Sequence, residues 1–208
     1  MIQVALIDKM GSDLSVVNAA RVSFSKVHVK MEYNDEKLIK YLAEHQHWSP
    51  FAHTSLQFHI RAPVFVARQL AKHQVGLVWN EVSRRYVKTD PDFWKPDYWR
   101  QGADDVKQGS TRKKVSSQSV VDHMFSDAER HCADAYNAMI SMGVCPEQAR
   151  AILPQSMYTE WYWTGSLYAF SRVCKLRLAK DAQKETREVA TKIAEACQRE
   201  FPISWKYL

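Results

Sequence analysis

A mixed α/β fold in one domain spanning 1–208 is predicted by three features of the sequence. The chain has 208 residues, 46% hydrophobic and 25% charged, which suits a core-forming globular chain. One segment alternates strictly between apolar and polar residues, as a half-buried strand does. Strand-like and helix-like segments follow one another without an internal repeat, which argues against a solenoid or propeller.

The elements follow in order. Ile2 to Ile7 is apolar enough for a first strand, and Leu14, Val17 and Ala20 then recur at helical spacing over 13–22, ending in Ser23-Phe24-Ser25. Asn34 or Asp35 caps a helix whose apolar positions are Leu38, Ile39 and Leu42, and Pro50 disfavours helix at Ser49. In 54–61, Leu56, Phe58 and Ile60 alternate with Ser55, Gln57 and His59, the clearest strand in the chain. Pro63 is placed to open a helix through Phe65, Leu70 and Ala71 that puts Gln69 and His73 one turn apart on one face, with Arg68 and Lys72 as a second such pair. That helix is expected to give way to a loop leading to Asn80.

Residues 89–119 turn rich in Pro, Lys, Asp, Gln, Ser and Gly and read as an irregular excursion that would serve as a lid. Val121, Phe125, Cys132, Tyr136 and Met139 mark a long amphipathic helix ending at Gly143, and Pro146 opens a short one carrying Arg150. A strand at 158–163 and helices over 166–178 and 182–201 complete the pattern.

Composition narrows the function. A net charge of +6 favours anionic partners without separating a nucleotide enzyme from a nucleic-acid binder, for which the aromatic and basic interleaving from Trp94 to Arg100 is the best signal. The aromatic complement (7 Trp, 9 Tyr, 8 Phe) points to planar ligands or a subunit interface. The four cysteines lack Cys-x-x-Cys spacing and no secretory pattern precedes them, so a reduced, cytoplasmic setting is expected. No apolar run approaches the roughly 18 residues of a membrane span, so no membrane partner is expected. Neither a Gly-x-Gly-x-x-Gly nor a Walker loop is present, and any dinucleotide must be held by other means.

Candidate site residues concentrate at Asn80, Glu81, Ser83, Arg84 and Arg85, with Arg150 and Arg177 further along. Forked guanidinium donors match a nucleotide phosphate, although surface arginines in weak ion pairs give the same pattern. Gln69 with His73 would read a ring edge or form an ordinary polar stripe. His45, His47 and His53 have no carboxylate or thiolate at ligand spacing, so no metal is expected. Ser83 lacks a nucleophile-elbow motif. Cys174 lies three residues before Arg177, which would allow an activated thiolate, though a buried inert cysteine is the simpler reading.

Most of the chain resembles the flavin-dependent thymidylate synthase family, in ordered segments. They are Asn18-Ala-Ala-Arg-Val-Ser-Phe24, His47-Trp-Ser-Pro-Phe-Ala-His53, Ala62-Pro-Val-Phe-Val-Ala-Arg-Gln69, Asn80-Glu-Val-Ser-Arg-Arg-Tyr86, Glu147-Gln-Ala-Arg-Ala-Ile-Leu-Pro154 and Leu176-Arg177 followed by Ala182-Gln183. The resemblance implies a central, mainly antiparallel sheet flanked by helices, assembled as a homotetramer with FAD at subunit junctions. It implies a methyltransferase that converts dUMP to dTMP, with methylenetetrahydrofolate as carbon donor and NADPH-reduced FAD as hydride source. A hydroxymethyl-transferring variant and, from another class, a basic nucleic-acid-binding protein without catalysis are the alternatives.

By the same resemblance, the catalytic residue is Arg177. Substrate contacts fall to Gln69, Leu70, Ala71, Lys72, Glu81, Val82, Ser83, Arg84, Arg85, Arg150 and Arg177. Cofactor contacts fall to Ser23, His47, Ser49, Lys72, His73, Gln74, Glu81, Ser166, Tyr168 and Arg172. This chain departs from the family in three places. Lys72-His73-Gln74 replaces Arg-His-Arg, the loop before Ser83 is one residue longer, and Ser166, Tyr168 and Arg172 stand where Asn, Arg and Asn are common. Arg84 and Arg172 are expected to restore part of the lost charge near the flavin phosphates.

Overall fold

The computed structural model describes residues 1–87, 89–103 and 110–208. In chain order the elements are β1 (Gln3–Met10), α1 (Asp13–Arg21), α2 (Asp35–Glu44), α3 (Ser49–Ala52), β2 (Ser55–Pro63), α4 (Val64–Leu70), β3 (Leu77–Glu81), β4 (Arg100–Gly102), β5 (Ser110–Lys114), α5 (Gln118–Ser141), α6 (Pro146–Ala149), β6 (Tyr158–Ser166), α7 (Leu167–Arg177), α8 (Lys184–Glu200) and α9 (Pro202–Tyr207). Single 3₁₀ turns follow α1 (Val22–Phe24) and α6 (Arg150–Ile152).

Four strands form an antiparallel sheet in the order β1-β2-β6-β3, with helices on one face. The alternation in β2 buries Leu56, Phe58, Ile60 and Ala62 completely, and the register sets Phe58 opposite Trp163 and Ile60 opposite Trp161. α4, α7 and α8 cover that face through Leu70, Phe170, Val173, Val189 and Ile193. Trp79 of β3 stacks on Trp161 with ring centroids 4.4 Å apart and meets Trp163 edge-on at 5.5 Å. A second cluster of Val16, Val17, Ile39, Leu42 and Phe51 joins α1, α2 and α3.

Several expectations need correction. The segment after Gln74 is strand β3, not loop. It lies close against β6 because Gly165 has no side chain: a Cβ there would come within 2.4 Å of Leu77 Cδ2 and 2.7 Å of the Gly76 carbonyl. Pro63 belongs to β2, paired with Tyr158, and α4 stops at Leu70, where the Ala71 and His73 amides donate to Ala67 and Leu70 and close the last turn. Gln69 and His73 therefore do not share a helical face.

α3 does begin at Ser49, because Pro50 falls in its first turn, where its missing N–H costs nothing. The expected irregular stretch 89–119 contains the β4–β5 hairpin and the start of α5 among its described residues, while Lys88 and 104–109 lie outside them. α9 was not anticipated. It is capped by buried Asp13, whose two oxygens accept the Ile203 and Ser204 amides at 3.0 and 2.8 Å.

Candidate functional site

Arg177 ends α7 and anchors a polar cluster. Its Nε donates to His73 Nε2 at 2.9 Å and its Nη2 to the Gln69 carbonyl at 3.3 Å. Accepting at Nε2 requires a neutral His73 with its proton on Nδ1. Burial, reinforced by the positive charges of Arg177 and Arg172, holds the His73 pKa below its ordinary value and keeps that state. Both partners of Arg177 are thus uncharged, and its positive charge is left un-neutralised.

α8 braces this cluster from behind. Thr186 Oγ1 donates to Gln69 Oε1 at 3.1 Å, Gln69 Nε2 donates to Gln183 Oε1, and Gln183 Nε2 donates to Glu185 Oε2 at 3.1 Å. Glu185 is buried and paired with Arg100 at 2.8 Å, tying the β4–β5 hairpin to the same point. In this arrangement the Gln69 amide is a strut under Arg177. A cavity of about 760 Å³ opens beside it, with Gln69, Lys72 and Arg177 on its polar side and Phe65, Trp94 and Trp99 on its apolar side.

Glu81, Val82, Arg84 and Arg150 line a second, smaller cavity of about 310 Å³. Thr159 Oγ1 donates to Glu81 Oε1 at 2.7 Å and Trp79 Nε1 to Glu81 Oε2 at 3.1 Å, which fixes the carboxylate. Arg84 donates to the Thr89 and Asp90 carbonyls, and Arg150 Nε to the Glu147 carbonyl at 3.3 Å, so neither guanidinium is paired with a carboxylate among the described residues. Arg177 and Arg150 do not line one cavity in a single chain; their two cavities adjoin at Arg68 and Gln155. Ser83 accepts from Arg85 Nε at 3.1 Å, and this pair stands outside both linings.

Ser166, Tyr168 and Arg172 share a third cavity of about 510 Å³ with Trp48 and Gly76. Trp48 and Tyr168 lie 5.9 Å apart at an interplanar angle of 34°. Gly76 has φ +76, and a Cβ there would press on Ala169 Cβ at 3.2 Å, so the wall is kept open by its absence. The exposed Trp48 ring beside half-buried Tyr168, a cleared wall and a guanidinium suit a flat aromatic group carrying an anionic tail. The volume takes one end of a dinucleotide, not the whole.

The remaining candidates are placed differently. His47, Ser49, Gln74 and Ser23 are exposed and line none of these cavities, and the Ser23 turn precedes a loop held elsewhere. The Leu70 side chain is fully buried in the core, and Ala71 is partly buried. Arg84 and Arg172 lie at different cavities, so they do not act at one point within a chain. Cys174 is buried with its thiol pushed up to about 12 by desolvation, which removes the activated-thiolate reading. Trp94 packs edge-on against Phe65 and Trp99 against Phe125, while Trp99 Nε1 donates to Asp122 at 2.6 Å, so the strongest nucleic-acid signal is spent on packing. No group of three or more His, Cys, Asp or Glu among the described residues could hold a metal, and no helix among them is long and apolar enough to cross a membrane. Glu185 and Thr186 escaped sequence reasoning, while Gln183 and Arg100 stood there only within the family segment ending at Gln183 and the aromatic and basic run from Trp94 to Arg100.

Known proteins resemble this chain along nearly its whole length. The family model described as "Thymidylate synthase complementing protein" matches residues 5–203. A flavin-dependent thymidylate synthase of Thermus thermophilus is 39% identical over 202 residues, covering 97% of this chain and 73% of that protein. Another from Thermosipho africanus is 37% identical over 203 residues, covering 97% and 88%. The crystal structure of a UMP/dUMP methylase, PolB from Streptomyces cacaoi bound with 5-Br dUMP, superposes with a TM-score of 0.90 at 30% identity, covering 100% of this chain and 94% of that one. The chain belongs to the flavin-dependent thymidylate synthase family.

Proposed function

We propose that this chain methylates dUMP to dTMP reductively in the cytoplasm, as a homotetramer binding FAD, with methylenetetrahydrofolate as carbon donor and NADPH as reductant. The observation that carries the reading is the un-neutralised charge of Arg177, held by neutral His73 over a cavity with one apolar wall. A guanidinium beside a pyrimidine stabilises negative charge on its ring nitrogen and oxygens, which is electrostatic preorganisation aimed at the reacting ring. The braces from Thr186 and Gln183 fix the helix end that carries the Gln69 carbonyl, so Arg177 need not reorganise during reaction.

Arg150 and Arg84, neither carboxylate-paired, supply forked donors for the nucleotide phosphate, joined by Ser83 and Arg85. Glu81, fixed at both oxygens, presents a set carboxylate edge to the nucleotide. Leu70, Ala71 and Val82 would contribute backbone and contact surface. Trp48, Tyr168, Arg172 and Ser166 would hold one end of the FAD, with Lys72, His73 and Gln74 nearer the substrate and Ser23, His47 and Ser49 completing the set across a subunit junction. When bound, the flavin supplies the hydride chemistry that no side chain of this chain provides.

Self-association is supported by exposed apolar side chains that a monomer would leave in water. Phe24 and Tyr86 are each 76% exposed, with Val22, Val29 and Tyr33 also uncovered. The separation of the Arg150 and Arg177 cavities in one chain fits a site completed by a second copy. The test is the visible spectrum of the purified protein followed by tritium release from dUMP labelled at carbon 5. A yellow protein that bleaches with NADPH and releases tritium only with the folate present is expected. A protein that stays colourless after FAD is supplied, or one that is yellow and releases no tritium, contradicts the reading.

A further inference from the structure

We propose that the basic cavity between the β4–β5 hairpin and the α7–α8 turn is a second anion site, which takes the polyanionic tail of the reaction's second reactant. The inference rests on the function proposed above for the existence of such a reactant and for the placement of the nucleotide phosphate; the cavity stands on its own geometry. It has a volume of about 890 Å³ and is lined, among the described residues, by six cationic side chains, Arg100, Arg112, Arg177, Lys180, Lys184 and Arg187, against one carboxylate, Asp181.

Like charges at this density repel one another unless an anion intervenes, and the described residues supply too few. Arg100 is neutralised by Glu185 at 2.8 Å. Arg187 donates to the carbonyls of Lys180 and Ala182, each at 2.6 Å, which fixes the turn without cancelling its charge. Among the described residues Arg112, Lys180 and Lys184 form no ion pair, and Lys184 rests 5.1 Å from the Tyr98 ring centroid. The site thus has a hydrogen-bonded floor and exposed cations at its rim.

Its position selects the kind of ligand. Gln69, Tyr98, Arg100, Arg177 and Gln183 line both this cavity and the 760 Å³ cavity beside Arg177, so the two are continuous. The first has an aromatic wall and the second a cationic one. A molecule with a planar ring and a tail of several negative charges can share the first cavity with the pyrimidine and reach into the second, the ring toward Phe65, Trp94 and Trp99 and the tail toward Arg112 and Lys180. Under the function proposed above the nucleotide phosphate goes to Arg84 and Arg150, which line a separate cavity, and on that reading this tail is a different one. A chain of glutamate carboxylates on a folate and the phosphorylated adenosine of a dinucleotide share this chemistry.

The experiment uses the flavin-loaded protein and isothermal titration calorimetry, which needs no turnover. Folic acid with one glutamate is compared with folic acid carrying four, and NAD⁺ with NADP⁺, on the wild type and on the doubly substituted Arg112→Ala, Lys180→Ala protein. Both side chains are exposed, so the fold should tolerate the changes. In one of the two pairs the more highly charged member is expected to bind the wild type at least about tenfold tighter, and the double substitution to reduce that gap to within about twofold. The pair that responds identifies the tail as carboxylate or phosphate. The proposal is overturned if neither pair differs on the wild type, if the gap survives the double substitution, or if the substitutions weaken only dUMP. Thymidylate formation is assayed in parallel. Tail discrimination without thymidylate would sink the functional reading and leave the site, and thymidylate without discrimination would do the reverse.

Discussion

Two arginines in this molecule are held in opposite ways. Arg21, at the end of α1, gives Nη2 and Nε to Asp35 Oδ1 at 2.8 and 3.3 Å. Asp35 is fully buried, and its other oxygen accepts from the Glu32 amide at 2.9 Å and faces His28 Nδ1 at 2.9 Å. Asn18 closes the same loop by exchanging two bonds with the His28 backbone. Arg177 has no carboxylate partner among the described residues, only neutral His73 and a peptide carbonyl. Charge in the first case is cancelled inside the protein and serves to fasten a loop. In the second it is stored, and only a ligand can cancel it.

The largest expected effect separates the two directly. Arg177→Ala should lower thymidylate formation by on the order of 10³, the scale of losing a preorganised electrostatic partner, while FAD still copurifies and Tm stays within about 2 °C. Turnover kinetics and a thermal melt of the same preparation measure both halves. A variant that turns over normally would make Arg177 a second Arg21.

Arg21→Ala should do the opposite. Removing one partner of a buried pair leaves the Asp35 carboxylate unmatched and typically costs about 3–5 kcal/mol. For a chain of this size that is on the order of 10 °C in Tm, with kcat per folded molecule nearly unchanged. Denaturant titration beside active-site counting checks it. A variant of unchanged stability would show that the buried pair contributes nothing net.

The smallest effect concerns pH. The His73 pKa is depressed from its ordinary 6.5, so as pH falls through 6.5 the ring stays mostly neutral and takes its proton below that value. The Arg177 clamp and its share of stability are therefore complete above about pH 6.5 and lost on further acidification. The acid limb of kcat/KM for dUMP should lie below that value and shift when His73 is replaced by Gln, which does not titrate. Asp35 behaves likewise lower on the scale. Burial alone would raise its pKa, but the bonds from Arg21, His28 and the Glu32 amide outweigh burial and lower it below 3.8. Its contribution persists above that value and fails only as pH drops through the folded pKa.

The sequence made some of this visible and hid the rest for physical reasons. β2 was legible because one face is buried and the other is not, which leaves a period of two in the residues themselves. β3 was not, since five residues at a sheet edge, ending in Asn80 and Glu81, carry little pattern, and their pairing depends on Gly165 more than eighty positions away. Asp13 capping α9 was hidden for the same reason, its partners standing at the far end of the chain. Arg177, Arg150 and Glu81 were singled out by residue type and by family resemblance, but the identity of their partners was not. That Arg177 meets a neutral histidine while Arg21 meets a buried carboxylate follows from tertiary placement alone. It is this difference, invisible in composition, that assigns the two arginines their separate tasks.

The measurement closest to the central claim is ¹⁵N NMR of dUMP labelled at ring nitrogen 3, bound to the flavin-loaded protein and followed across pH. If the Arg177 charge is reserved for the pyrimidine, that nitrogen should lose its proton at a lower pH when bound than when free, and the shift should vanish in Arg177→Ala. A bound nucleotide that titrates like the free one in the wild type would contradict the account.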